Sequence, residues 1–239
     1  DYPLRSVAEP SKEKSLRGAK DGFVEAMMTN IALLRRRIRD NALIFKIYTV
    51  GDVTKTDVSL VYMKDRADMD MVKKMDQTLK QLRLRGLTVT EQTLVEALTG
   101  KKLSWCNPFP KVRYSQRPDI IAAHVEEGKL AVIVDNSPTV ILLPAGIFDF
   151  LQDIDDYYFP LLTGNYFRFL RILNIFVILF ATPVYLLFAE GDIPVNEALR
   201  FFITEEEFAI SIFWQFILLE LAVDGLKLAS LNTPDSLGM

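Results

Sequence analysis

Residues 172–189 read ILNIFVILFATPVYLLFA, a run without a single charged side chain. A helix needs about 20 predominantly apolar residues to cross the hydrocarbon of a bilayer. Extended back through Phe167 to Leu170, with Arg168 and Arg171 accepted at its start, the run covers about 167–189 and meets that length. The core helix of a soluble domain is apolar along one stripe; this one is apolar all round and reads as a membrane span. Pro183 is expected to kink it, which spanning helices tolerate. Arg168 and Arg171 precede the span, and Glu190 and Asp192 follow it. Basic flanks stay on the cytoplasmic side, so the chain upstream is expected in the cytosol.

Downstream, Phe208 to Val223 (FAISIFWQFILLELAV) is a second apolar run, interrupted by Gln215 and Glu220. A helix over about 208–226 is expected, either spanning the membrane or lying in its interface. Trp214 is a candidate interfacial anchor. Glu220 and Asp224 lie four apart, on one helical face, and an acid inside an apolar run is a functional candidate by default.

Upstream, the character changes. Residues 1–163 carry 24 Lys/Arg and 22 Asp/Glu, whereas residues 164–239 carry 4 and 9. Residues 1–20 are polar, without the apolar core of a signal peptide. Starting at Asp1 and stopping at Met239, the chain reads as a piece of a longer protein. Ser11 is a candidate cap for a short helix reaching Arg17. Phe23, Met27, Ile31, Leu34 and Ile38 make one apolar face of a helix over 22–39. Strands are expected at 43–50 and 57–63, joined by a turn at Gly51-Asp52. Asp68 is a candidate N-cap for a helix over 69–85, with Val72, Met75, Leu79 and Leu82 inward. A further helix capped by Thr90 would bury Leu94, Val95 and Leu98 and end at Gly100.

The two prolines of residues 101–110 (KKLSWCNPFP) suggest a boundary. Beyond it come a strand near Val112–Tyr114, a helix begun by Pro118 and closed before Gly128, and strands at 130–134 and 139–143. LAVIV and TVILL are almost continuously apolar, so both are expected to be central and buried. The expected fold is α/β: two small lobes in tandem, then transmembrane or interfacial helices. The expected division is 1–20 as linker and short helix, 21–100 and 101–155 as two cytosolic lobes, and 156–239 as the membrane region.

Little enzyme chemistry survives inspection. No phosphate-binding glycine loop or zinc-protease motif is present. The chain has one histidine, His124, and one cysteine, Cys106. His124 follows Ile120 and Ile121 on a helix and reads as structural. Cys106 permits no internal disulfide, and a zinc site needs more Cys and His than the chain has. Hence no catalytic residue, metal or cofactor is expected. Arg35, Arg36, Arg37 and Arg39 form a basic cluster, a candidate contact for a neighbouring subunit or for anionic lipid. It lacks the interleaved aromatics of a nucleic-acid platform, so no nucleic-acid partner is expected. Asp153, Asp155 and Asp156 with Tyr157-Tyr158-Phe159-Pro160 form an acidic, then aromatic junction before the span.

Several stretches resemble the A-subunit family of bacterial spore germination receptors. SLRGAKDGFVEAMMTNIALLRRRIRD (15–40) carries an RG-x-x-[DE]-GF-x-E…N-x-AL-x-RRRI signature in Arg17, Gly18, Asp21, Gly22, Phe23, Glu25, Asn30, Ala32, Leu33, Arg35, Arg36, Arg37 and Ile38. DDYYFPLLTGNYFRFLRILN (155–174), TPVYLLFA and LLELAVDGLKLASLNTP (218–234) also match. Val223-Asp224 departs from the family's LELAF-E pattern, and the DGLKLASLNTP ending resembles the stage V sporulation protein AF branch. The resemblance implies a multi-pass subunit of the spore inner membrane, its lobes cytosolic. It implies a homo-oligomer that works with other spore germination membrane proteins as a germinant-responsive or germination-amplifying ion channel. The alternative is a non-conducting scaffold that recruits other germination proteins.

Overall fold

The computed structural model describes residues 6–10, 13–15, 18–82, 94–96, 98, 111–151, 158–189 and 210–230. The chain divides into two units, residues 1–168 and 169–239. The first is α/β, as expected. Its elements in order are α1 (Met27–Arg37), β1 (Leu43–Val50), β2 (Thr56–Met63), α2 (Met69–Gln81), β3 (Arg113–Ser115), α3 (Pro118–Glu126), β4 (Leu130–Val134), β5 (Val140–Leu143) and α4 (Ile147–Leu151).

All five strands join one antiparallel sheet in the order β1-β2-β4-β5-β3. Strands expected in two separate lobes therefore meet: β2 pairs with β4, Val58 opposite Val134 and Leu60 opposite Val132. The physical reason is burial. β4 is buried at every position, and β2 at all but one. Such strands need a partner on both edges and cover on both faces. Alternation then sorts the side chains. Val58, Leu60, Tyr62, Val132 and Val134 face a cluster that includes Val72, Met75 and Leu79 of α2. Val61, Met63, Ala131 and Ile133 face another with Met27, Leu34 and Ile38 from the α1 region and Ile121 and Val125 of α3. LAVIV and TVILL thus sit inside the sheet, as their composition requires. Leu94 and Val95 are helical and buried in the α2-side cluster.

Asp68 caps α2 as expected, accepting from the N–H groups of Asp70 (2.9 Å) and Met71 (3.4 Å). The helix expected over 22–39 is shorter. It begins at Met27 because residues 23–26 give their backbone groups to distant partners. Phe23 N–H donates to Gln116 O at 2.8 Å. The Asn30 side chain accepts from Val24 N–H (2.8 Å) and donates to Val24 O (2.6 Å). Ala26 brings no capping side chain to α1. Asp135, in the β4–β5 turn, accepts from Met27 N–H at 3.0 Å instead.

The 29-residue helix α5 (Leu161–Ala189) includes Pro183 and crosses the division between the units. Its stretch Leu162–Phe188 is long and apolar enough to cross a membrane, and from Asn165 to Phe188 every residue is exposed or half-buried. Helix α6 (Ile212–Ser230) has 19 residues, about 28 Å at 1.5 Å per residue. It runs past the expected end at 226, with Lys227 bonded to Asp224 and Ser230 Oγ to Lys227 O. Of the helix expected from Ser11 to Arg17, the described residues 13–15 are not helical, because the Ser15 N–H goes to the Glu9 carboxylate and Glu13 O and Ser15 Oγ go to Arg117. The Thr90 and Gly100 helix ends, Cys106, the acids Asp153 to Asp156, and Glu190 to Glu207 lie outside the described residues.

Asp135 stands in for a local cap, so Asp135→Ala is expected to destabilise the first unit by about 1 kcal/mol, the usual loss at a helix N-cap. Urea unfolding of residues 1–168 measures it. Asp68→Ala provides a comparison of similar size at a local cap.

Candidate functional site

The most organised polar site centres on Arg117, which exposes 0% of its surface. Local sequence places it there: Pro118 occupies the first turn of α3, leaving Arg117 extended immediately before the helix. The guanidinium has five N–H groups, and each finds an acceptor. Nε and Nη2 reach the two carboxylate oxygens of Asp119 at 3.1 and 2.7 Å. Nη2 also donates to Ala19 O (3.0 Å), and Nη1 donates to Glu13 O (3.1 Å) and Ser15 Oγ (2.9 Å). Tyr158 completes the site by donating its hydroxyl to Asp119 and accepting from Ala19 N–H at 3.5 Å.

These bonds pin an N-terminal strap, residues 8–10, 13–15 and 18–22, to the folded unit. Glu13 adds its carboxylate, accepting from Gln116 N–H (2.7 Å) and Ser115 Oγ (3.1 Å). Glu9 accepts from Ser15 N–H and from Lys20, both at 3.0 Å. Two glycines permit the path. Gly18 has φ +114°, and a Cβ there would lie 2.2 Å from the Tyr158 ring. A Cβ on Gly22 would lie 2.7 Å from Ala8 O. Both positions therefore exclude side chains.

Charge balance follows from this geometry. Burial works to raise the Asp119 pKa, but the bonds from Arg117 and Tyr158 outweigh it and hold the carboxyl below the ordinary aspartate value. Burial and the Asp119 carboxylate raise the Tyr158 phenol. The result is an ion pair with a neutral tyrosine at its edge. The Ser15, Asp119 and Tyr158 oxygens are all bonded within the site, so the arrangement holds three segments together.

The arginine cluster divides by role. Arg35 donates to Asp40 O and Leu43 O, both at 2.8 Å, and lies 5.1 Å from the Phe45 ring centroid. It clasps the connection from α1 to β1. Arg37 and Arg36 both bridge to Asp21, Arg36 at 3.0 Å with its side chain 65% exposed. Arg39 is exposed and bonds Arg36 O at 3.4 Å. In the second unit Glu220 and Asp224 are exposed on α6, and Asp224 pairs with Lys227 at 3.0 Å. Among the described residues, no group of three or more His, Cys, Asp or Glu is arranged to hold a metal.

Sequence reasoning missed Arg117. The available signal was Arg-Pro-Asp at 117–119, an opposite-charge pair straddling a helix-initiating proline. His124, which reads as structural in the sequence, is fully buried. A guanidinium only donates, so Arg113 Nη1 at 3.2 Å makes Nε2 the acceptor. Nδ1–H then donates to Glu127 at 3.1 Å. Burial first, then the positive Lys129 and Arg113, lower the His124 pKa against the upward pull of Glu127.

Over residues 1–239 the chain matches the family described as Bacillus/Clostridium GerA spore germination protein. Stage V sporulation protein AF of Bacillus subtilis (strain 168) is 37% identical over 236 residues, 99% of this chain and 47% of that protein. Spore germination protein A1 of the same organism is 31% identical over 237 residues, 98% of this chain and 48% of that protein. The chain thus spans about half the length of these curated relatives. The crystal structure of the N-terminal domain of the A subunit of the Bacillus megaterium spore germinant receptor GerK3 is 33% identical. It covers 53% of this chain and 97% of that one, with a TM-score of 0.41.

His124 generates a prediction about pH. Its folded pKa is depressed, so the unfolded chain binds the proton more readily. Its contribution is full above the unfolded value, about 6.5, and is lost as pH falls through the folded value. The melting temperature of residues 1–168 is expected to drop between pH 7.5 and 5.5. His124→Gln is expected to flatten that slope, because the chain has no other histidine.

Proposed function

This chain belongs to the Bacillus/Clostridium GerA spore germination protein family, and we propose that it is part of an oligomeric, germinant-responsive or germination-amplifying ion channel of the spore inner membrane. Its relatives include a stage V sporulation protein and a spore germination protein. The observation that carries the membrane reading is α5, whose Leu162–Phe188 stretch is apolar, long enough to span and without a buried residue from Asn165 onward. So large an exposed apolar surface is stable only with lipid or protein around it. Arg168 and Arg171 at its start favour a cytosolic first unit.

Glu220, Asp224 and Lys227 fall within about 60° of one another at 100° per residue, and make a polar stripe on the otherwise apolar α6. A charge in hydrocarbon costs about 2.5–3.5 kcal/mol on insertion scales. The reading that avoids this cost is a stripe facing water or a neighbouring subunit, where its acids attract cations. For assembly, Arg36 and Arg39 are the better candidates, because Arg35 and Arg37 are more engaged within their own chain.

Reconstitution of the full-length protein into vesicles tests the channel. Cation flux is expected, and Glu220→Gln is expected to lower it about tenfold, or about 1.4 kcal/mol, at unchanged oligomer size. An assembled protein that passes no cations with or without germinants would replace the channel by a recruiting scaffold. Replacing Arg36 and Arg39 with Gln is expected to shift the oligomer toward smaller species. The melting temperature of residues 1–168 should stay nearly constant, since exposed charge pairs contribute about 0–1 kcal/mol. Light scattering and calorimetry measure the two effects.

A further inference from the structure

Tyr158 lies three residues before the start of α5. Its hydroxyl and its ring are both held by residues more than a hundred positions away or on another element: Ala19, Gly18 and Asp119. All of this lies inside the first unit. We propose that the N-terminal strap and Tyr158 form one latch, closed through Arg117 and Asp119, so that releasing the strap frees the chain at the threshold of the membrane helix.

The argument is one of shared bonds. Arg117 gives two of its five N–H groups to Asp119 and three to the strap, at Glu13 O, Ser15 Oγ and Ala19 O. Asp119 Oδ2 takes one bond from Arg117 and one from Tyr158. Ala19 is shared too: its carbonyl accepts from Arg117 and its N–H reaches Tyr158. Lifting the strap therefore leaves buried guanidinium N–H groups without acceptors, removes the Tyr158 contact at Ala19, and takes the Gly18 surface from under the Tyr158 ring. A buried charge that loses part of its pairing is costly, so the half-open arrangement is disfavoured. Strap and tyrosine are held together or released together. The tightness at Gly18 serves the same end, because the ring seats on bare backbone where a side chain would displace it.

On the strap's outer side Lys20 is 58% exposed and pairs with Glu9 of the strap itself, a bond that does not fasten the strap to the rest of the fold. The strap is thus the part of the latch that a binding partner can reach and withdraw, while Arg117 and Asp119 stay within the fold. The coupling does not depend on ion conduction, and its test is independent of flux.

Linkage requires the coupling to be reciprocal. The test is residue-resolved amide hydrogen exchange on the full-length protein in nanodiscs, with two mild variants. Ser15→Ala removes one Arg117 acceptor from the strap. Tyr158→Phe removes one hydroxyl from the other side. Ser15→Ala is expected to speed exchange at Gly164, whose N–H bonds Pro160 O. Tyr158→Phe is expected to speed exchange at Gln116, whose N–H is held by Glu13. Increases of about threefold or more in both directions, with Val132 and Ile133 still protected, support the latch. An effect confined to the mutated side would overturn it. Loss of protection at Val132 and Ile133 would also overturn it, by making Arg117 a general support of the fold.

Discussion

The guanidinium of Arg117 is a full positive charge removed from water, and the surrounding chain is arranged around that cost. Transfer of an unpaired charge into a protein interior is so unfavourable that it persists only with complete pairing. Here completion requires a carboxylate two residues on, two carbonyls and a hydroxyl from the strap, and a tyrosine that shares the carboxylate. None of the three segments can satisfy the charge alone. The N-terminal strap is thereby fixed without a helix or strand of its own, and the approach to α5 is fixed beside it.

The sheet explains why the strap lies where it does. Among the described strands β3 is at one end of the order, next to β5. Its last residue, Ser115, and the following Gln116 are bonded by Glu13, while Gln116 O accepts from Phe23 N–H. The strap thus runs along the terminus of β3 and turns into α1, whose first N–H is capped from the β4–β5 turn. Sheet edges with free backbone groups invite pairing with other chains. A strap of side-chain carboxylates and backbone groups occupies this corner instead.

Strong local periodicity was readable. The limits of β1 and β4, the N-cap Asp68, the helix-starting Pro118 and the long apolar helix α5 follow from patterns within a few residues. What failed to show was long-range. Residues 23–26 look helical by apolar spacing, yet their backbone groups are claimed by Gln116, Asn30 and Asn136, and only the folded chain brings Gln116 and Asn136 there. Two lobes were inferred because a proline-containing loop separates the strand sets; pairing of β2 with β4 is invisible to any local pattern. The signature over 17–38 marked the right segment but not its use. Gly18 seats Tyr158, Gly22 clears Ala8 and Pro10, Asn30 holds Val24, and Asp21 joins Arg36 and Arg37. These are packing roles, and Gly18 ties the motif to a tyrosine 140 positions away.

The two units solve opposite problems with the same residue types. In the first, apolar side chains are hidden, and the largest of the buried polar side chains, Arg117, His124 and Asn30, are bonded within the fold. In the second, apolar side chains are on the outside, and the charges of α6 lie among them. A bilayer inverts which exposure is costly. Lipid makes the exposed Phe176, Val177, Ile178 and Phe180 favourable, and it makes Glu220 the group in need of an explanation. Local pairing supplies Asp224 with Lys227. Glu220 has the same cation nearly two turns further on, at seven residues, and shares it at best. The remaining compensation has to come from water or from another chain, so the polar stripe of α6 requires surroundings that a single helix in lipid does not provide.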